Sequence, residues 1–90
     1  MAKIGMFGAG YVGLVTGACF ADLGHDVVIR DILPERIEQL RAGVVPIYEP
    51  GLDAVLERNR DRLRFTLDVG EAVDGAEFLY VAVGTPPTAS

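Results

Sequence analysis

The chain has 90 residues, half of them hydrophobic, a formal net charge of −5 and one cysteine. That length allows one compact unit near the lower end of the domain range. The acidic balance argues against nucleic acid and anionic membrane surfaces as partners, and the lone Cys19 excludes an internal disulfide and fits a reducing, cytoplasmic setting.

Lys3–Phe7 is a short apolar run that suits a buried parallel strand. Gly8, Gly10 and Gly13 follow with G-x-G-x-x-G spacing, and the apolar, proline-free segment behind them predicts a helix from about Gly10 to Leu23. Gly8 permits a tight turn out of the strand. Gly10 has no Cβ and lets a pyrophosphate approach the backbone, and Gly13 lets the helix lie close on its strand. The helix N-terminus then aims unpaired N–H groups and a positive dipole end at the phosphates. Ile4–Ala21 holds no charged residue, which by itself also suits a signal peptide or a membrane span. Glycines at positions 5, 8, 10, 13 and 17 each cost about 1 kcal/mol of helix propensity against Ala, so a continuous helix is disfavoured.

Gly24 suits the position that ends the first helix. Cys19, among Ala18, Phe20 and Ala21, reads as a small buried hydrophobe, and His25 as a solvated turn residue. Asp26–Arg30 predicts a second strand closed by Asp31, about 20 residues beyond the glycines. A carboxylate there accepts hydrogen bonds from an adenosine ribose and repels a 2′-phosphate, which favours NAD over NADP. Arg30 and Arg36 weigh the other way, since a nearby Arg accommodates a 2′-phosphate; Arg36 either flanks the adenosine or sits solvated on an outer face. Pro34 opens and Gly43 stops a short helix with Ile37 and Leu40 inward.

Val44–Pro50 is a proline-bounded connector in which Glu49 reads as a charge at the N-terminus of the next helix, Gly51–Asn59, with Leu52, Val55 and Leu56 as its apolar stripe. Arg62–Leu67 predicts a third strand, Leu63, Phe65 and Leu67 on one face and Arg62, Arg64 and Thr66 on the other. Asp68 suits the N-cap of a helix through Val73. Glu77–Val83 reads as a central fourth strand ending in Gly84-Thr85-Pro86-Pro87. The alternation predicts an α/β fold: a Rossmann-like parallel sheet of order 3-2-1-4, the first half of a dinucleotide-binding domain. Gly8–Gly13 and Gly84–Pro86 then face each other across the crevice between strands 1 and 4.

Gly8-Ala9-Gly10-Tyr11-Val12-Gly13-Leu14, Pro46-Ile47-Tyr48-Glu49-Pro50-Gly51-Leu52 and Val83-Gly84-Thr85-Pro86 resemble the N-terminal signature of the UDP-glucose/GDP-mannose dehydrogenases. The resemblance covers essentially the whole chain. It implies an NAD-dependent enzyme that oxidises the C6 hydroxyl of a nucleotide sugar to a carboxylate with two NAD+ in succession. It also implies that Val12 lies on the pyrophosphate turn, Asp31 holds the adenosine ribose, Arg36 flanks it and Thr85 contacts the cofactor. The candidate cofactor-binding set is Gly8, Gly10, Tyr11, Val12, Gly13, Asp31, Arg36, Gly84 and Thr85, with no metal site. The family's catalytic cysteine and its Lys and Asp partners lie far downstream, and Cys19 does not match that motif.

The expectation is therefore that residues 1–90 are the N-terminal part of the NAD-binding domain of a longer enzyme, inactive alone. A nucleotide sugar would bind through an absent domain, and the free edge of the fourth strand would promote self-association. UDP-glucose, GDP-mannose and UDP-N-acetylmannosamine all remain open as the sugar. Another dinucleotide oxidoreductase, such as a 3-hydroxyacyl-CoA or 6-phosphogluconate dehydrogenase, is disfavoured by the Glu-Pro-Gly-Leu and Gly-Thr-Pro elements. A stand-alone nucleotide-binding or interaction module is the remaining reading.

Overall fold

The structure, a computed structural model, describes residues 2–45 and 49–82. Strands β1 (Lys3–Phe7), β2 (Asp26–Arg30), β3 (Leu63–Thr66) and β4 (Phe78–Val81) form one parallel sheet in the order β3-β2-β1-β4. Helices α1 (Tyr11–Asp22), α2 (Pro34–Arg41), α3 (Leu52–Arg58) and α4 (Val69–Val73) connect them. The parallel register sets Phe7 beside Arg30 and Val81, so the glycine turn, Asp31 and the end of β4 emerge together at the carboxyl edge.

The alternating side chains of β1 and β2 explain the layering. Ile4, Met6, Val27 and Ile29 join Leu14, Ala18 and Ala21 of α1 and Leu52 and Leu56 of α3 in one buried cluster. Gly5, on the other face, is in close contact with α4: a Cβ there would overlap the Ala72 carbonyl oxygen. Asp68 caps α4 by accepting the Glu71 N–H at 3.2 Å. At the other end of α4, Lys3 Nζ donates to the Glu71 and Asp74 carbonyls.

Several local expectations give way. Cys19 is exposed: the residues of α1 that face the sheet are Gly13, Leu14, Gly17, Ala18 and Ala21, and Cys19 lies beyond that stripe. His25 is half-buried, its Nδ1 accepting the Ala2 N–H at 3.1 Å. Leu67 is exposed and Thr66 buried, because the strand stops at Thr66 and its hydroxyl accepts the Asp68 N–H at 3.0 Å, turning the chain. Among the described residues β4 lies at the end of the strand order, with the free edge expected of it, and Phe78, Leu79, Tyr80 and Val81 are between 47% and 72% exposed. No helix among the described residues is long and apolar enough to cross a membrane.

The carboxyl end of α1 is tied to α3 by charge. Arg58 donates to both Asp22 oxygens at 2.9 and 3.0 Å, and Asn59 Nδ2 adds a third bond at 2.9 Å. The bond from Arg58, then that from Asn59, brings the Asp22 carboxyl down to about 2. A depressed carboxyl contributes stability above its unfolded value near 4 and loses it as pH falls towards the folded one. Stability against urea should therefore drop as pH falls from about 4 to 2, and Asp22→Asn should flatten that limb; an unchanged slope would remove the pair from the account. The edge strand generates a second expectation. An apolar edge strand with no charge or proline is a template for pairing, so sedimentation should show association that grows with concentration, and Tyr80→Lys should reduce it.

Candidate functional site

The site is built where β1 ends. Gly8 takes φ +113°, open to glycine at no steric cost, and its N–H donates to the Arg30 carbonyl at 2.7 Å. The chain then turns through buried Ala9 into α1. A Cβ on Gly13 would overlap the Gly8 carbonyl oxygen, so helix and strand touch backbone to backbone. At Gly10 the opposite holds: an added Cβ would meet nothing within 4 Å among the described residues, which leave the space over the turn open.

Gly10 also begins α1, with extended backbone, no side-chain cap and no acidic residue in the first turn. The Leu14 N–H reaches the Gly10 carbonyl at 2.9 Å; the N–H groups of Tyr11, Val12 and Gly13 have no partner within the helix. Tyr11 and Val12 are exposed. Three donors with no partner among the described residues, a positive dipole end and the space over Gly10 make an anion-receiving corner.

Asp31 stands beside it, its side chain 8% exposed. Oδ2 accepts the Ala9 N–H at 2.8 Å and Arg36 Nη1 at 3.3 Å, and Oδ1 accepts the Leu33 N–H at 3.0 Å. Burial alone would raise this carboxyl; the two backbone donors and the Arg36 guanidinium outweigh it and hold it below the usual carboxylate range. It is therefore ionised at neutral pH. A carboxylate has about four lone-pair sites, and these three bonds leave room for one more donor such as a hydroxyl.

The structure thus brings Gly8, Gly10, Tyr11, Val12, Gly13, Asp31 and Arg36 to one corner. Gly84 and Thr85 lie outside the described residues, as do Pro46, Ile47 and Tyr48 of the connector. Glu49 precedes α3, its carbonyl accepting the Leu52 N–H at 3.0 Å, while its Oε2 accepts the Tyr11 hydroxyl at 3.0 Å, and that bond raises the Tyr11 pKa. A cleft of about 400 Å³ opens at the corner, lined by Phe7, Gly8, Arg30, Asp31, Ile32 and Val81. Phe7, Ile32 and Val81 were not singled out by motif; an apolar Ile32 directly after Asp31, in the loop beyond the strand, was the available signal. A second cavity, about 390 Å³, lies at the far edge between the end of α2, α3 and β3 and touches none of the candidate cofactor residues.

Residues 2–90 match the model of the UDP-glucose/GDP-mannose dehydrogenase family, NAD binding domain. The chain belongs to this family. Among its relatives, the UDP-glucose 6-dehydrogenase TuaD of Bacillus subtilis is 50% identical over 88 residues, 96% of this chain and 19% of that protein. A UDP-glucose 6-dehydrogenase of Rhizobium meliloti is 52% identical over 86 residues, 93% of this chain and 20% of that protein. GDP-mannose 6-dehydrogenases match as well, at 40% and 41% identity. The solved UDP-glucose dehydrogenase of Pyrobaculum islandicum superposes with a TM-score of 0.92 at 46% identity, over 99% of this chain and 21% of that one. The chain spans about a fifth of the length of these relatives. NAD is the cofactor of this family's domain, and the open Gly10 corner beside an ionised carboxylate fits the adenosine and pyrophosphate parts of such a dinucleotide.

The two helix glycines of this dehydrogenase domain should separate in a mutant pair. Gly13→Ala should cost about 3 kcal/mol or more in urea unfolding, because rigid backbone blocks the methyl. Gly10→Ala should change stability by no more than about 0.5 kcal/mol and instead weaken NAD+ about tenfold by filling the approach to the helix N-terminus. Equal stability of the two variants would count against the packing account.

Proposed function

We propose that residues 1–90 form the adenosine and pyrophosphate half of the NAD site in a nucleotide-sugar dehydrogenase, with UDP-glucose as the sugar nucleotide. In this reading the free N–H groups at Tyr11, Val12 and Gly13 receive the pyrophosphate over Gly10. Asp31 accepts from the adenosine ribose, Arg36 flanks the adenosine, and the family resemblance adds Gly84 and Thr85 to the cofactor contacts. When bound, NAD supplies hydride acceptance; these residues bind and orient it. The parent enzyme would oxidise the C6 hydroxyl of the sugar to a carboxylate with two NAD+, using catalytic groups outside these 90 residues, and would work in the cytoplasm, where a lone thiol stays reduced.

The observation that carries the reading is the uncapped N-terminus of α1, open over Gly10 and set beside the buried, ionised Asp31. Of the two arginines at this corner, Arg36 is paired to Asp31 and Arg30 donates through Nε to the Leu67 carbonyl at 3.2 Å, so both are turned to the protein, which favours NAD over a 2′-phosphorylated dinucleotide. UDP-glucose is preferred because relatives identical at about half of the aligned residues carry that substrate in their names.

Calorimetric titration with NAD+ and, separately, NADP+ tests the cofactor assignment, with amide shifts mapping the site. Saturable NAD+ binding with shifts at Gly8–Gly13 and Asp31, and weaker NADP+ binding, are expected. A folded chain that binds neither, both alone and when lengthened past Ser90 to the extent of its relatives, would overturn the reading. The lengthened protein should reduce NAD+ with UDP-glucose faster than with GDP-mannose.

A further inference from the structure

We propose that Asp31 is a positioning residue for the phosphate turn: its carboxylate holds the Ala9 N–H, and through it the Gly8–Gly13 turn, in anion-receiving shape before any ligand arrives. This role is separate from ribose binding, and it rests on the reading that the turn receives a pyrophosphate.

The bonding of the turn leads to this. Ala9 is fully buried between Gly8, whose positive φ commits the chain to the turn, and Gly10, where α1 begins. Its N–H points inward and meets Asp31 Oδ2 at 2.8 Å. Without that oxygen a buried backbone donor would be orphaned, and the turn could recover the loss only by rotating the Ala9 peptide. The same carboxylate, through Oδ1, holds the N–H of Leu33, the residue that begins α2, and Arg36 of α2 closes on Oδ2. One group thus joins the turn, the end of β2 and the start of α2. With a side chain 8% exposed, most of its hydrogen-bonding capacity already goes to the protein. A residue serving only a ribose would keep its oxygens free for the ligand.

Inorganic pyrophosphate, which has no ribose, separates the two roles. Asp31→Asn and Asp31→Ala both remove the negative charge, so comparing them cancels its repulsion of the anion; only Asn keeps a carbonyl oxygen for the Ala9 N–H. The Ala variant should bind pyrophosphate about tenfold more weakly than the Asn variant, and its Ala9 amide should exchange faster with solvent. Equal pyrophosphate affinity in two folded variants would overturn the proposal.

Should the Ala variant not fold, the unmodified chain decides. Its Ala9 amide proton should shift with pH in step with the Asp31 carboxyl, at a midpoint below the usual carboxylate range; an Ala9 resonance that ignores that titration would overturn the proposal. Titration of the unmodified chain with NAD+ keeps the two readings apart. Failure to bind NAD+ or pyrophosphate while Ala9 still follows Asp31 would reject the cofactor assignment and uphold the tie between carboxylate and turn.

Discussion

No side chain fits between the start of α1 and the end of β1. The carbonyl of Gly8 occupies the place a Cβ of Gly13 would need, so the helix is seated on its strand by backbone contact. Close-packed interiors do not deform gradually, and this contact therefore fixes where the helix begins as well as how deep it lies. The N-terminus of α1 is carried to the carboxyl edge of the sheet, between β2 and β4 in the strand order. A larger residue at position 13 would lift the helix and move its donors. Gly5 does the corresponding work on the opposite face, letting the backbone of α4 rest on β1.

A molecule with a net charge of −5 is an unpromising host for an anion. The structure resolves this by distance and pairing. The dipole of a helix acts within about one turn of its end, and that turn of α1 holds no acidic residue. Of the two carboxylates tied to the turn, Asp31 is engaged by two backbone N–H groups and Arg36, and Glu49 accepts the Tyr11 hydroxyl. Asp22, at the far end of the same helix, is paired with Arg58 of α3 and hydrogen-bonded by the neighbouring Asn59. Net charge thus says little about the corner where an anion would sit; the placement of a few donors says more.

The same sheet that builds this corner leaves β4 exposed. Four apolar residues on an edge strand are costly in water, yet β4 borders the site and its pairing with β1 brings Val81 into the cleft beside Gly8. The Phe20 and Tyr80 rings, 5.2 Å apart, anchor the strand to α1. Packing that supports the turn and the exposure of the strand next to it are two consequences of one register.

Much of this was legible in the sequence. The glycine spacing, the apolar run before it and Asp31 after the second strand were enough to specify the strand–turn–helix unit, because each depends on local sterics: a positive φ at Gly8, a missing Cβ at Gly13. Gly24 and Gly43, with the cap at Asp68, bounded the helices for the same reason. The strand order followed from the alternation of strands and helices. What the sequence could not decide depends on neighbours distant along the chain. α1 is apolar on every side, so no periodicity told Cys19 from Ala18; only the direction of the sheet did. The bond from Ala9 to Asp31 joins residues 22 positions apart and is invisible to any motif, since Ala9 contributes only a backbone N–H that every non-proline residue carries. Sequence by itself determined the local conformations and the residue types of the cofactor corner. Tertiary structure decided which of their polar groups are spent on one another, because burial makes a donor seek whatever acceptor the fold places within reach.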